Sequence, residues 1–273
     1  MERAIDRLPA PAHIREKKII VTARSRTGTL SLFKALTILG YKTYHGAEVM
    51  RRGVPHLEIF EEALGAKYMG IGKPYSRPEL DKWLADYDAI VEIPSVLLEE
   101  FVNAYPQAKI LHLDRDVDKW YASVMNTVYY PINAVERWPL RYLRWIDTFT
   151  DRFCSFHLMV KRVWWHGHEL DDGEKVLKED YLGLSRRVKA LGLPPDRFAS
   201  FRLEEGFGWD QLCPFLGVPV PDVPYPSANT PERFDEMQAG FVKAALWKAK
   251  MLATTAIVIP GIAVGAWYCF KGR

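Results

Sequence analysis

Short apolar runs alternate with amphipathic stretches along most of the chain. Lys17–Ala23 (KKIIVTA) is a β-branched run of the kind a buried strand carries. A polar loop, Arg24–Gly28, follows it. Thr29–Leu39 then sets Leu32, Leu36 and Leu39 on one helical face, with Gly40 placed to end the helix. Tyr41–Tyr44 predicts a second strand, Glu79–Tyr87 a helix, and Asp88–Ile93 (DAIVEI) a third strand stopped by Pro94. Val96–Tyr105 is helical again and Lys109–Leu113 (KILHL) is a fourth strand. Asp116 opens a helix reaching Val128, with Asp118 in its first turn, where the helix dipole favours an acid. Tyr130–Trp165, dense in Trp, Tyr, Phe and Arg, predicts helix with weak caps. Asp180–Leu191 is a helix stopped by Gly192, Ser200–Leu203 a strand and Trp209–Leu216 a helix. Val218–Pro231 is proline-rich and expected to run extended over the surface. The pattern holds no internal repeat. Alternation of strands and helices predicts an α/β domain of three layers, a central parallel sheet between helices. Ligands in such folds bind beyond the carboxyl ends of the strands, which directs attention to the first strand–loop–helix turn.

The two ends break this pattern differently. Residues 1–17 carry charges throughout, lack the apolar core of a secretory signal, and read as an N-terminal tail ahead of a domain over 18–240. Met251–Phe270 contains no charged residue. At about 1.5 Å per residue such a helix reaches roughly 30 Å, enough to cross a bilayer. Lys243, Lys248 and Lys250 precede it, Lys271 and Arg273 follow, and Trp247, Trp267 and Tyr268 stand at its ends. Pro260, Gly261 and Gly265 suit a membrane helix better than a soluble one. Residues 241–273 are therefore expected to form a single-pass anchor in a lipid bilayer, with the main domain facing the cytosol.

Composition narrows the chemistry. The chain is 48% hydrophobic and 26% charged, which excludes a disordered or disulfide-stapled protein. A net charge of +3 leaves no global basic field for nucleic acid but permits a local anion site. Cys154, Cys213 and Cys269 are scattered without metal-ligand spacing, so a reducing compartment and no metal are expected. Neither length nor charge fixes an oligomeric state.

Arg24-Ser25-Arg26-Thr27-Gly28-Thr29 joins the first strand to the first helix. Gly28 permits a left-handed turn, and the N–H groups of Thr27 to Leu30 can converge on an anion at a helix N-terminus. The Walker A lysine is absent. This loop resembles that of the P-loop sulfotransferases, and in particular sulfotransferase family 4, whose loop usually reads PRTGTTSL; here Ser25–Leu32 reads SRTGTLSL. Leu39-Gly40 and Tyr44-His45 are similar to that family too. So are Lys109–Val124 (KILHLDRDVDKWYASV) and Glu204–Pro226 (EEGFGWDQLCPFLGVPVPDVPYP). Ser25, Leu30 and Thr230 depart from the family's usual proline, threonine and aspartate, and the first two bear on the rigidity of the loop.

The resemblance implies transfer of a sulfuryl group from 3′-phosphoadenylyl sulfate (PAPS) to a hydroxyl of a small hydrophobic acceptor, possible within a biosynthetic pathway. It implies that Arg26, Thr27, Gly28 and Thr29 hold the 5′-phosphate, that Arg115 and Ser123 hold the 3′-phosphate, and that Arg26 stabilises the leaving oxygen. The base of the cytosolic sulfotransferases, a histidine two residues before a proline, is replaced here by Glu92 in Val91-Glu92-Ile93-Pro94. Glu92 reads equally as a structural carboxylate bound to Arg26 or to backbone, and His45 is the alternative base. His112 reads as packed. His157, His166 and His168 lie in an aromatic segment, Tyr129–His168, that reads as an acceptor lid, a membrane-facing surface or plain core. Three other readings stay open: a P-loop nucleotide phosphotransferase or hydrolase, a non-catalytic member acting at a membrane, and a repurposed enzyme of the fold.

Overall fold

A computed structural model of the protein describes residues 2–166, 170–227, 240, 243–252, 254–255 and 271. Five parallel strands form one sheet in the order β2-β3-β1-β4-β5: β1 (Ile19–Val21), β2 (Thr43–His45), β3 (Ala89–Val91), β4 (Lys109–Asp114) and β5 (Phe198–Arg202). Strands β1, β2 and β3 are each a fully buried run of three residues. Val21 is paired with Val91 on one side and Leu111 on the other, and His45 with Val91. The carboxyl ends of β2, β3 and β1 thus meet at one level of the sheet, and β4 runs three residues past it to Asp114.

Strand alternation divides the core in two. Ile20, Ile90 and Ile110 face one layer, while Ile19, Val21, Val91 and Leu111 face the other. The second face is covered by α1 (Thr29–Ile38), through Leu32, Ala35 and Leu36, and later by α11 (Trp209–Leu216). Gly40, at φ +88°, ends the α1 segment: its N–H reaches the Thr37 carbonyl and the Tyr41 N–H that of Leu36. The first face carries α2 (Gly46–Arg52), α3 (Val54–Met69), α4 (Arg77–Trp83) and α5 (Leu98–Ala104). It continues with α6 (Val117–Met125), α7 (Tyr129–Ala134), α8 (Leu140–Leu143), α9 (Thr148–Trp164) and α10 (Leu170–Lys189).

The predicted α/β architecture with a central parallel sheet is present, and the five strands lie within the expected runs or a residue or two of them. Helices over 46–69 are an addition. α3 packs against both α2 and α9, so its buried positions (Leu57, Ile59, Phe60, Ala63, Leu64, Ala66) surround the helix and blur its periodicity. The aromatic segment resolves into α7, α8 and α9. Residues 3–17 lie on the domain: Ile5 is buried and Arg3 pairs with Glu62 and Glu79. The proline-rich strap is extended as far as it is described, and the Trp209 indole donates to the Val223 carbonyl at 2.7 Å.

The membrane anchor is corrected. Among the described residues no helix is long and apolar enough to cross a membrane. The helical turns over 243–252 and 254–255 carry Lys243, Lys248 and Lys250, and Lys248 is bonded to Asp147 at 2.6 Å. A charged stretch tied to the domain does not enter hydrocarbon. Residues 256–270, most of the expected span, lie outside the described residues, and the bilayer and cytosol-facing placement fall with the span. Thr230 and His168 also lie outside them.

Two histidines are built into the first-face layer. Tyr44 Oη donates to His56 Nδ1 at 2.6 Å, and His157 Nδ1 donates to the Phe153 carbonyl at 2.8 Å. Burial pulls both imidazoles down to about 4. In the unfolded chain they titrate near ~6.5, so between roughly pH 6.5 and 4 the unfolded state holds more protons and stability falls on acidification. Unfolding titrations in urea at pH 6 and pH 5 should give a clear loss at the lower pH. His157→Phe should cut the proton uptake on unfolding by about one, a slope change of ~1.4 kcal/mol per pH unit at most.

Candidate functional site

The loop after β1 is shaped by side chains that bind its carbonyls. The Thr27 hydroxyl donates to the Arg24 carbonyl at 2.7 Å, the Trp120 indole to the Ser25 carbonyl at 2.9 Å, and Arg115 Nη1 to the Arg26 carbonyl at 3.0 Å. Three consecutive carbonyl dipoles are thereby tied to donors. Arg26 adopts φ +73° and Gly28 φ +84° on either side of Thr27, the alternation that turns successive N–H groups into one concavity. Gly28 caps α1 and supplies no side chain, so the first N–H groups of that helix keep their donors for a ligand. A β-carbon at Gly28 would stand 3.1 Å from Leu203 Cδ1, which closes the far side of the loop. The result is a preformed anion cradle.

Arg115 and Ser123 meet this cradle through Arg26. Ser123 Oγ accepts from Arg26 Nε at 3.2 Å, while Arg115 binds the Arg26 carbonyl. Arg115 Nε lies 3.6 Å from Glu204 Oε1 but makes no hydrogen bond. Neither Asp114 nor Asp118 neutralises it: Asp114 receives the Tyr181 hydroxyl and Asp118 pairs with Lys178. Arg24, fully buried, pairs with Asp180 and lies over the Trp164 ring. Thr27 has its hydroxyl engaged within the loop, which leaves its N–H for a ligand, whereas Thr29 lines the cavity below.

The neighbouring strand ends hold a carboxylate–imidazole pair. Glu92 follows β3 at φ +76°, a left-handed conformation strained for a residue with a β-carbon. Its Oε2 lies 3.1 Å from His45 Nε2, within ion-pair range but off the line of a hydrogen bond. His45 Nδ1 accepts the Ala47 N–H at 3.0 Å and caps α2, so the neutral ring carries its proton on Nε2, the nitrogen beside Glu92. Burial lowers the His45 pKa, partly offset by Glu92 and Glu48. Gly46 makes room for the carboxylate: a β-carbon there would come within 2.6 Å of Glu92 Oε2.

A cavity of about 420 Å³ opens beneath the cradle and this pair. Ser25, Arg26, Thr29, Lys34, His45 and Glu92 form its polar end; Met50, Phe60, Leu64, Ile132, Phe156 and Val160 form apolar wall. The polar end is reached by every predicted site element except the Arg115–Ser123 side, which borders the loop from β4 and α6. His112 is buried on Thr22 and lies away from the cavity wall. His166 is exposed beside Asp180, and His157 lines the cavity. The aromatic segment is divided: α9 contributes to the cavity, while Trp138 and Trp145 are exposed. Among the described residues no group of three or more His, Cys, Asp or Glu comes together as a metal site. Sequence reasoning missed Gly46, Lys34, Leu203, Glu204 and the α3 wall. Lys34 could have been found four residues after Leu30 on the same helical face; the α3 wall has no local signal.

The family model described as "Sulfotransferase domain" matches residues 18–234, a span that contains the cradle, the pair and the cavity. The chain is 27% identical over 273 residues to Ava biosynthesis cluster protein M of Aspergillus versicolor, covering 94% of this chain and 97% of the relative. A crystal structure of a sulfotransferase from Alicyclobacillus acidocaldarius aligns at a TM-score of 0.42 and 16% identity, over 88% of this chain and 96% of that one.

Because the atom in the way is the end of a flexible side chain, Gly46→Ala should fold and push the Glu92 carboxylate off His45. The favourable charge on the imidazole is then lost, so its titration midpoint, read by NMR, should move further down, as it should in Glu92→Gln. An unchanged midpoint in Gly46→Ala would mean that the carboxylate does not rest on Gly46.

Proposed function

The chain belongs to the sulfotransferase-domain family, and from that membership we propose that it moves a sulfuryl group from PAPS to a hydroxyl of a small hydrophobic acceptor. The acceptor is proposed to be an intermediate of a biosynthetic pathway, a reading supported by the name of the relative from Aspergillus versicolor. The observation that carries the proposal is the juxtaposition of a preformed anion cradle with a carboxylate at the head of a mostly apolar cavity.

The residues present suit the nucleotide. The uncapped N-terminus of α1 and the N–H groups of Thr27, Gly28 and Thr29 fit its 5′-phosphate. Arg115, with Nε lacking a hydrogen-bond partner, and Ser123 border the loop where a 3′-phosphate is to be held. When bound, PAPS supplies the sulfuryl group and a phosphate leaving group. Glu92 accepts the proton of the acceptor hydroxyl as the acceptor oxygen bonds to sulfur. Arg26 takes up the charge left on the phosphate oxygen as its bond to sulfur breaks. His45, whose Nδ1 is occupied by the Ala47 N–H, sets its Nε2 edge against the Glu92 carboxylate and is assigned a positioning role. The apolar wall holds the body of the acceptor and keeps water from competing as nucleophile.

Calorimetric titration separates this reading from nucleotide phosphotransfer: adenosine 3′,5′-bisphosphate should bind at micromolar concentration and ATP with Mg²⁺ should not, and the reverse result overturns it. Arg115→Ala should weaken adenosine 3′,5′-bisphosphate by ~1.5–3 kcal/mol, roughly tenfold or more in Kd. Adenosine 5′-monophosphate should lose less, through the released Arg26 carbonyl alone; equal losses mean that Arg115 acts only on the loop. Glu92→Gln should lower kcat by roughly 10²–10⁴ with nucleotide affinity kept. A Glu92→Gln enzyme of normal kcat, or one that no longer binds nucleotide, removes Glu92 from the role of base.

A further inference from the structure

Among the polar side chains of the cavity wall that the proposed chemistry does not use, one stands apart from the rest. The polar groups described above all come from the carboxyl edge of the sheet and the segments leaving it. His157 stands instead on α9, between Phe156 and Val160 in a wall that is otherwise apolar there. Its orientation is fixed. The ring packs on Phe153 with centroids 4.0 Å apart and edge-on to Phe156 at 5.5 Å. Nδ1 lies 2.8 Å from the Phe153 carbonyl, which can only accept, so the proton is on Nδ1 and Nε2 carries a lone pair. Only 8% of the residue is exposed, yet Nε2 is not among the sealed-off polar atoms that lack partners. The residue lines the cavity. Among the described residues no donor is bonded to it. The ring stays neutral down to about pH 4 through burial, so Nε2 remains an acceptor under physiological conditions.

A buried acceptor left unpaired weakens any ligand that covers it, and one that is paired rewards a ligand bearing a donor at that place. The neighbouring wall is aromatic: the Phe60 and Phe156 rings lie 5.3 Å apart and Trp164 continues the surface, which favours a flat apolar body. A volume of about 420 Å³ suits a molecule of two or three fused rings. We propose that the acceptor is a flat, largely apolar molecule with two polar hydrogens, a hydroxyl presented to Glu92 and a second O–H or N–H that donates to His157 Nε2. His157 is then a specificity-determining residue. The proposal rests on the reading of the Glu92 end as the reacting end.

The test uses the full chain saturated with adenosine 3′,5′-bisphosphate, and reads binding of 2-naphthol, the dihydroxynaphthalene isomers and their mono-methyl ethers by quenching of tryptophan fluorescence. At least one diol should bind about tenfold or more tightly than 2-naphthol, the scale of one desolvated hydrogen bond. Methylation of its second hydroxyl should abolish that advantage in the wild-type protein, a comparison that needs no variant to fold. In His157→Phe the advantage should vanish with 2-naphthol affinity kept, and His157→Gln, which retains an acceptor oxygen, should recover part of it. A diol advantage that survives in His157→Phe or after methylation, no isomer that exceeds 2-naphthol, or no binding of any naphthol overturns the proposal. Failure of the sulfotransferase reading is seen separately, as absence of naphthyl sulfate when PAPS is supplied, and leaves the binding comparison readable.

Discussion

The site depends on three consecutive carbonyl groups being turned to donors that come from elsewhere in the chain. A loop meant to hold an anion must present N–H groups and hide oxygens, and an oxygen left toward the ligand cancels a neighbouring N–H. Here the Arg24, Ser25 and Arg26 carbonyls are bound by Thr27, Trp120 and Arg115 respectively. Two of those donors arrive from the β4–α6 segment, nearly a hundred residues away in sequence. The left-handed conformation of Arg26 is tolerated because its carbonyl and its guanidinium are both held, the latter by Ser123. Arg115 and Ser123, proposed to hold a second phosphate, thus also set the shape of the loop proposed to hold the first. The cradle exists before any nucleotide enters, so little ordering of the chain accompanies binding.

The sheet order converts this local device into a working arrangement. With β3 between β2 and β1, the parallel register sets His45, Glu92, the loop and β4 side by side along one edge. Strands β1, β2 and β3 have three residues each and end at that level, while β4 continues to Asp114. Glu92 is then placed by sterics as much as by charge. Its backbone is left-handed, its carboxylate lies over Gly46, and its neighbour His45 is fixed in one tautomer by the first turn of α2.

The legibility of these features in the sequence follows their range. The strands, α1 and the Gly40 stop were readable because their signals lie within a few residues: β-branched runs, a leucine face, a glycine at the end. The cradle and Glu92 were readable through the resemblance of short contiguous motifs. Gly46 was not, since its meaning is a contact with a side chain forty-six positions later. α3 was not, because a helix covered on several sides loses the polar stripe that marks amphipathicity. Tertiary contact also places the Arg115 guanidinium, whose partners are the Arg26 carbonyl and Glu204. At the C-terminus, apolar composition alone suggested a span, and the lysines preceding it turned out to lie along a helix tied to Asp147.

The wall of the chamber comes largely from α3 and α9, elements outside the sheet, whereas the end proposed to react comes from the sheet edge. A lineage can therefore alter which molecules fit by exchanging residues such as Phe156 or Leu64 while the transfer machinery stays as it is. Trp164 is the exception. It borders the chamber and also lies beneath the buried guanidinium of Arg24, the first residue of the loop. Exchange at that one position shifts the floor on which the loop begins, so diversification of what is admitted is free to proceed along the helix until it meets this ring, and there it becomes a change in the catalyst itself.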